Sequence, residues 1–133
     1  MRLQALLAAV HSTGGASLLV GAPGTAKTSV VSSFLASLPA DDAVTKTLTW
    51  SSLTTPAVFQ AAVEASIVKR QGRTYGPPAG RTLTLAVDDA GAPALNEWGD
   101  CPTAEGLRQL LEGGTLYSLT KPVGDVRSVV DTR

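Results

Sequence analysis

The strongest constraint in the sequence is a short loop of small residues that ends in a lysine and a threonine. Its residues are Gly21, Ala22, Pro23, Gly24, Thr25, Ala26, Lys27 and Thr28. An apolar run precedes the loop and a stretch with helical periodicity follows it. Small residues let the backbone N–H groups turn inward around an anion, and the dipole of the next helix adds to that attraction. The pattern is typical of a loop that binds nucleotide phosphates.

Three positions of this loop have specific expected roles. Lys27 is expected to contact the β- and γ-phosphates, and the hydroxyl of Thr28 to supply an oxygen to Mg²⁺. Ala26 stands where the usual pattern has glycine. Its methyl group costs little if the backbone there is helical and more if φ is positive. The alternative interpretation is a glycine-rich turn with an exposed lysine, and the strand-loop-helix context favours nucleotide binding.

A second motif consists of an apolar run that ends in two acids. Residues 83–87 are followed by Asp88 and Asp89. Together with the loop, this pattern predicts that Asp88 holds Mg²⁺, directly or through water, and that Asp89 positions the attacking water. Asp89 is one methylene shorter than the more usual glutamate, so hydrolysis is expected to be slow or absent. The alternative is a strand that ends in a solvated acidic turn.

The periodicity of apolar residues predicts alternating strands and helices. We expect helices over residues 3–10, 27–38, 56–70 and 103–112, and strands over residues 16–20, 47–50, 82–87 and near 126–130. Thr55 and Pro56 form a helix-start signal, with Val58, Ala62, Ala65 and Ile67 expected to face inward. Residues 75–80 are expected to form a turn or loop. The predicted fold class is therefore α/β, with a parallel sheet covered by helices on both faces.

Composition excludes several classes of function. Eleven basic and eleven acidic residues cancel, and no cluster of Lys and Arg has the density of a nucleic-acid surface, so no nucleic-acid partner is expected. No apolar run reaches the ~20 residues needed to cross a bilayer, so no membrane partner is expected. Cys101 is the lone cysteine, which excludes an internal disulfide and a multi-cysteine metal site.

Four motifs, taken in order, resemble an AAA+ module of dynein heavy chains. They are the loop at 21–28, the segment 75–81 (Tyr-Gly-Pro-Pro-Ala-Gly-Arg), the segment 87–93 (Val-Asp-Asp-Ala-Gly-Ala-Pro), and Trp98-Gly99 followed by the helix at 105–111. The family has a Gly-Pro-Pro turn before the acid-bearing strand, an Asp-Asp pair followed by a proline, and a helix with Leu-Arg-Gln. The resemblance covers about residues 14–130 and is greatest to the third module of axonemal dyneins.

The resemblance implies a function in a large motor. It implies an AAA+ P-loop NTPase domain with a three-layer α/β/α fold, ATP and Mg²⁺ as cofactors, and coupling of ATP binding and hydrolysis to movement along microtubules. The implied partners are neighbouring AAA+ modules of the same heavy chain and, through the parent motor, dynein intermediate and light chains and microtubules. The implied location is the cytoplasm and cytoskeleton, in the axoneme of a cilium.

The resemblance also predicts that residues 1–133 are a partial domain. They would comprise the large subdomain only, without the lid and without the strand that lies between the acid-bearing strand and the strand before the loop, so that the sheet is incomplete at the C-terminal end. Two alternatives stay open, namely a module that binds nucleotide for regulation or structure without hydrolysis, and a divergent fragment without function. A different class of P-loop protein, such as a small-molecule kinase, would need an acceptor-binding lid.

A few further residues have competing interpretations. Trp50 and Trp98 are expected to pack in the core rather than stack on a nucleobase, and His11 to lie at a helix end. Arg108 is expected to support its own helix, the alternative being a contact with a neighbouring module. Ser51 and Ser52 follow a predicted strand, where facing a phosphate is the less favoured alternative.

Overall fold

The computed structural model describes residues 2–120 and 123–133. The helices are α1 (Arg2–Ser12), α2 (Lys27–Ala36), α3 (Pro56–Glu64) and α4 (Pro102–Gly113), with a 3₁₀ turn at Pro78–Gly80. The strands are β1 (Ala43–Thr49), β2 (Val68–Lys69), β3 (Thr74–Gly76), β4 (Thr82–Asp88), β5 (Thr115–Tyr117) and β6 (Val126–Val129). None of the described helices has the length and apolar character needed to span a membrane.

A pair of parallel strands forms the centre of the fold. Strand β1 pairs with β4 in a register that runs from Ala43 opposite Thr82 to Thr49 opposite Asp88. Helices α3 and α4 cover one face of the pair, and α1 and α2 cover the other. This arrangement confirms the predicted α/β class with helices on both faces of a parallel sheet.

The larger apolar core lies on the face that α3 and α4 cover. Its buried residues are Trp50, Phe59, Val63, Ile67, Leu83, Leu110, Leu116 and Val129. Helix α4 approaches α3 closely at Gly106, where a β-carbon would lie 3.3 Å from Cδ1 of Phe59. Gly106 weakens the helix by about 1 kcal/mol relative to alanine, and in return the two helices pack tightly.

The smaller core lies on the face that α1 and α2 cover. Leu7, Phe34 and Leu35 are buried there, and Ala86 of β4 packs against them. The ring of His11, at the end of α1, meets the Phe34 ring edge-on at 5.5 Å. Nε2 of His11 lies 2.9 Å from the Oγ1 of Thr84. His11 therefore lies at a helix end, as predicted, and also joins the helix to the sheet.

A second sheet lies outside the sequence prediction. It has four short strands in the order β2-β3-β6-β5. Of these, only β6 was expected, because the other three have two or three residues each and are too short to show a period. Strand β3 occupies the start of the segment 75–80, which we had expected to be turn throughout, and the 3₁₀ turn follows it.

The predicted strand at residues 16–20 is wrong. This segment has no strand pairing, and Leu18 and Val20 are 82% and 85% exposed. Among the described residues no strand forms ladder hydrogen bonds with it. Residues 131–133 instead pair with β4, on the side away from β1, through the bridge between Leu83 and Thr132.

The predicted length of α3 is also wrong. The helix begins at Pro56 with Thr55 as its cap, as predicted, but it ends at Glu64 instead of about residue 70. Strand β2 then begins at Val68 and pairs with β3. Of the expected inward residues, Ile67 is buried and Ala62 is half-buried, whereas Val58 and Ala65 are exposed. The buried residues of the helix itself are Phe59 and Val63, at the four-residue spacing of a helix face, and the buried Ile67 follows the helix.

We expect the stability of the fold to fall as the pH drops below about 6.5, because of His11. Burial first, and the charge of Arg133 second, lower the pKa of His11 below its ordinary value of 6.5. The unfolded chain therefore binds the proton more strongly than the folded one, so stability present above pH 6.5 is lost as the pH falls toward the folded pKa. His11 is the only histidine of the chain. Urea unfolding midpoints at pH 7.5 and 5.5 should therefore differ more in the wild type than in His11→Gln, and equal differences would contradict the assignment.

Candidate functional site

The loop at 21–26 leads directly into the N-terminus of α2. The helix begins at Lys27, with Ala26 as its N-terminal cap residue, and the N–H of Val30 donates to the carbonyl of Ala26 at 3.0 Å. The loop is exposed to solvent. Gly24 has a φ of +80°, which a residue with a side chain rarely adopts. The sequence therefore folds as predicted here, with a tight loop and the positive end of a helix dipole at its end.

The side chain of Lys27 folds back across the loop. Its ammonium donates to the carbonyl oxygens of Gly21 and Ala22, each at 2.8 Å, and lies 3.3 Å from the Oγ1 of Thr25. The Oγ1 of Thr25 in turn donates to the carbonyl of Ala22 at 2.8 Å. A positive charge is thus held against the loop, at a helix N-terminus, where an anion is most favoured.

The loop and the acidic strand end meet through one side-chain contact. The hydroxyl of Thr28, in the first turn of α2, donates to Oδ2 of Asp88 at 2.7 Å. Oδ1 of Asp88 accepts from the N–H of Asp89 at 3.0 Å. The backbone carbonyl of Asp88 accepts from the N–H of Trp50 at 3.0 Å, which links the ends of β1 and β4. The carboxylate of Asp88 is therefore fixed in orientation beside Thr28.

Asp89 has an unusual backbone conformation. Its φ is +54°, in the left-handed region that few non-glycine residues adopt. Its carbonyl accepts from the N–H of Ala92 at 2.8 Å, and its side chain is exposed. Among the described residues, the hydrogen bonds of Asp89 involve its backbone only. The carboxylate of Asp89 therefore has no hydrogen-bond partner in the part of the chain that the structure describes.

The oxygen atoms of Thr28 and Asp88 have the chemistry that Mg²⁺ prefers. A hydroxyl and a carboxylate are hard oxygen ligands, and magnesium is usually held by one or two such groups together with phosphates and water. In the described part of the chain, no group of three or more His, Cys, Asp or Glu residues is placed to hold a metal. The residues present fit a magnesium ion that enters with a phosphate ligand, and they do not form a cage made of protein alone.

Ala26 adopts a left-handed backbone conformation that is unfavourable for alanine. Its φ is +58° and its ψ is +23°, so the condition under which its methyl group is unfavourable is met. We expect Ala26→Gly to raise the free energy of unfolding by about 1 kcal/mol, because glycine reaches this conformation without strain. The measurement is urea unfolding. Ala61→Gly, at an exposed position inside α3, is the control and should lower stability by about 1 kcal/mol. Equal losses in both variants would contradict the account.

Two clefts of the molecule lie away from the loop. A cleft of about 230 Å³ lies between α3 and α4, near Phe59 and Gly106, and one of about 180 Å³ lies beside β1. Neither includes a residue of the loop or either acid. A phosphate loop binds through backbone N–H groups and charge on an open surface, so a deep cavity is not required there.

The structure decides between the competing interpretations of the two tryptophans. Trp50 is buried against Phe59, as expected, whereas Trp98 is 77% exposed, so its predicted place in the core is wrong. Trp98 belongs to a loop whose N–H groups bond to the side chain of Asn96, which keeps the indole outside the core.

Arg108 and Ser51 bond to their own segments, and Ser52 is exposed. Arg108 pairs with Glu105 and Glu112 on α4, which confirms a helix-supporting role, and its hydrogen bond lowers the pKa of Glu105 to about 2. The Oγ of Ser51 accepts from the N–H of Leu53 within the same turn. Sequence reasoning missed the N–H of Trp50 as the group that fixes the Asp88 carbonyl. The register that pairs Thr49 with Asp88 brings these two groups together.

The fold and the loop together define an α/β protein of the P-loop class. Comparison with known families narrows this class, because the family described as the P-loop containing dynein motor region matches residues 1–133. The chain belongs to this family.

Its curated relatives include heavy chains of flagellar and axonemal dyneins. The dynein gamma chain of the flagellar outer arm of Chlamydomonas reinhardtii is 48% identical over 133 residues, all of this chain and 3% of the relative. Dynein axonemal heavy chain 5 of Mus musculus is 42% identical over 131 residues, 98% of this chain and 3% of the relative. Dynein axonemal heavy chain 8 of Homo sapiens is 41% identical over 133 residues, all of this chain and 3% of the relative. The chain thus spans about one-thirtieth of the length of these relatives.

Proposed function

We propose that this chain is an ATP-binding AAA+ module of an axonemal dynein heavy chain. The observation that carries the proposal is the 2.7 Å hydrogen bond between Thr28 and Asp88, which joins two motifs 60 residues apart. A glycine-rich turn with a free lysine would have no reason to meet an acidic strand end. Two oxygen ligands beside a phosphate loop are what a magnesium-nucleotide complex needs.

Each residue of the site has one task in this proposal. The loop N–H groups and the ammonium of Lys27 bind the phosphates, and Lys27 exchanges its bonds to the loop carbonyls for bonds to phosphate oxygens. Thr28 and Asp88 hold Mg²⁺, which, when bound, neutralises charge on the β- and γ-phosphate oxygens. Asp89 orients the water that attacks the γ-phosphate.

The finer role belongs to the parent heavy chain. There the module couples nucleotide binding and hydrolysis to movement along microtubules, in contact with neighbouring AAA+ modules and, through the motor, with intermediate and light chains. The proposal also includes the likeness of this chain to the third module of the ring and a location in the axoneme of a cilium. It further includes the division of the chain, with residues 1–133 as the large subdomain only.

A substitution at Asp89 distinguishes ATP hydrolysis from ATP binding without hydrolysis. We expect the wild type to release phosphate slowly and only with Mg²⁺, and Asp89→Asn to reduce that rate by about 100-fold, because the general base is lost. The affinity for ATP should change less than about threefold, since Asp89 contacts no phosphate in this scheme. Phosphate release and fluorescent-ATP titration measure the two quantities.

The control for Asp89 is Asp41→Asn, at an exposed acid in the turn before β1. It should leave both quantities unchanged. Equal rates of release in Asp89→Asn and the wild type would remove Asp89 from the mechanism.

A second candidate function is nucleotide binding without hydrolysis. It is favoured by the exposed, unbonded carboxylate of Asp89 and by its short side chain. A misplacement of about 1 Å at a catalytic group can cost 100-fold in rate. This alternative would be established if the wild type binds ATP but releases phosphate no faster than Lys27→Ala does. Failure to bind ATP at all would leave the divergent fragment without function.

A further inference from the structure

The outer edge of β1 is unpaired along its length in the described part of the chain. On the inner side, the carbonyl of Asp42 accepts from the N–H of Thr82 at 2.9 Å, and the N–H of Trp50 donates to Asp88 at 3.0 Å. Even-numbered residues thus direct their backbone groups toward β4. Alternate residues of a strand bond to opposite sides, so the N–H and C=O groups of the three threonines at 45, 47 and 49 face outward.

This edge has little of the protection that exposed edges usually have. Proteins commonly shorten such strands, bend them with a bulge, place proline or several charges on them, or cover them. Strand β1 has seven residues, with no proline, and Lys46 is its single charged residue. Thr45, Thr47 and Thr49 are all exposed. An unpaired edge of seven residues, with β-branched threonines at 45, 47 and 49, forms a template on which another strand can pair.

A cleft of about 180 Å³ lies beside this edge, between β1 and α3. Leu48 and Lys46 of the strand line it, and so do Val58 and Ala62 of the helix. Val58 is exposed and Ala62 half-buried. An added strand would therefore place alternate side chains in the cleft, against apolar groups of α3, and the others over the threonines.

Two polar groups of the cleft have no partner in the described part of the chain. None of the ion pairs between described residues involves Lys46. The Nε1 of Trp50, which also lines the cleft, is buried without a hydrogen-bond acceptor. Buried donors normally have a partner, and an unpaired cation beside a strand favours a carboxylate directly opposite.

We propose that the outer edge of β1 binds an extended polypeptide segment of a partner protein, with an acidic residue opposite Lys46 and apolar residues on either side at the next positions of the same face. The segment adds a strand to the sheet. Its backbone bonds to Thr45, Thr47 and Thr49, its apolar side chains occupy the cleft, and its carboxylate pairs with Lys46. This surface is separate from the phosphate loop, so its occupancy does not depend on ATP binding.

The test uses a synthetic peptide with the sequence Thr-Val-Thr-Glu-Thr-Val-Thr, which reads the same in both directions and so pairs equally in parallel or antiparallel orientation. The isotopically labelled chain is titrated with it by NMR. We expect amide shifts and slower hydrogen exchange at 45, 47 and 49, and a shift of the Trp50 indole signal with no shift of the Trp98 indole. Shifts at 16–20 or 131–133 without shifts along β1 would overturn the proposal.

Two variants distinguish strand pairing at the β1 edge from non-specific binding of the peptide. Thr47→Pro removes an outward N–H while leaving the bonds to β4 intact, because proline is tolerated on the free side of an edge strand. It should abolish peptide binding, and Thr47→Val, which keeps the N–H, should retain it. Equal binding by both variants would overturn the proposal.

Reversing the charge at position 46 tests whether the partner segment carries an acidic residue, and this test does not depend on the proline variant. Lys46→Glu should weaken binding of the glutamate peptide about fivefold and strengthen binding of the same peptide with lysine at its centre by a similar factor. Equal binding of the two peptides to the wild type would overturn the acidic specificity. A dimer of the chain that Thr47→Pro dissociates would show that a second copy occupies the edge, and would also overturn it.

Discussion

Lys27→Ala should reduce the affinity for ATP by about 100-fold or more. The ammonium of Lys27 already lies against the loop, 2.8 Å from the carbonyls of Gly21 and Ala22, and has only to turn to reach phosphate oxygens. Hydrogen bonds to charged groups contribute about 1.5–3 kcal/mol each, and a loss of about 2.8 kcal/mol is 100-fold in affinity. Titration with a fluorescent ATP analogue measures the change.

The fold should tolerate the loss of Lys27. Its bonds are to exposed loop carbonyls, which water can satisfy, so unfolding by urea should be unchanged within about 0.5 kcal/mol. Lys69→Ala, at an exposed lysine of β2, removes the same charge elsewhere and should bind ATP as the wild type does. If Lys27→Ala and Lys69→Ala weaken binding equally, only net charge matters and the loop is not the site.

Asp88→Asn should remove the effect of magnesium on ATP binding. In the wild type, we expect Mg²⁺ to strengthen binding through Thr28 and the Asp88 carboxylate. Asparagine keeps the shape of the side chain and can still bond to Thr28, whose hydroxyl donates or accepts. It lacks the charge that holds the ion, so binding in the presence of Mg²⁺ should weaken by about 10- to 100-fold. Titrations with Mg²⁺ and with a chelator measure the difference.

The chelator titration contains its own control. Without Mg²⁺, Asp88→Asn should bind ATP at least as well as the wild type, because a negative charge beside the phosphates has been removed. Asp41→Asn should behave as the wild type in both conditions. A magnesium effect of the same size in Asp88→Asn and the wild type would place the ion elsewhere.

The sequence predicted the long elements of the fold better than the short ones. The loop at 21–28 and the acids at 88 and 89 were predicted as a site because their chemistry restricts residue type at fixed positions. The long elements α2, β4 and α4 were found because each spans enough residues to show a period. The motifs predicted that Thr28 and Asp88 hold the same magnesium ion, and the structure places the two side chains within hydrogen-bond distance although 60 residues separate them.

Where the predicted secondary structure was wrong, tertiary contacts determined the observed structure. The apolar run at 16–20 has the pattern of a buried strand. A strand forms only when it pairs with another strand, and in the described part of the chain none pairs with this segment. Helix α3 stops at Glu64 because Val68 and Lys69 pair with β3, an event that no local pattern encodes. The left-handed backbone at Ala26 and Asp89 could not be predicted either, because proline is the only residue type that fixes φ.

The most direct measurement is an NMR titration of the labelled 133-residue chain with ATP and Mg²⁺. The account predicts that the amides of residues 21–28 shift first and most, that those of Asp88 and Asp89 shift only when Mg²⁺ is present, and that β1 and the second sheet stay unchanged. Shifts elsewhere with none at 21–28, or no shifts at millimolar ATP from a folded chain, would contradict the claim that this loop binds nucleotide.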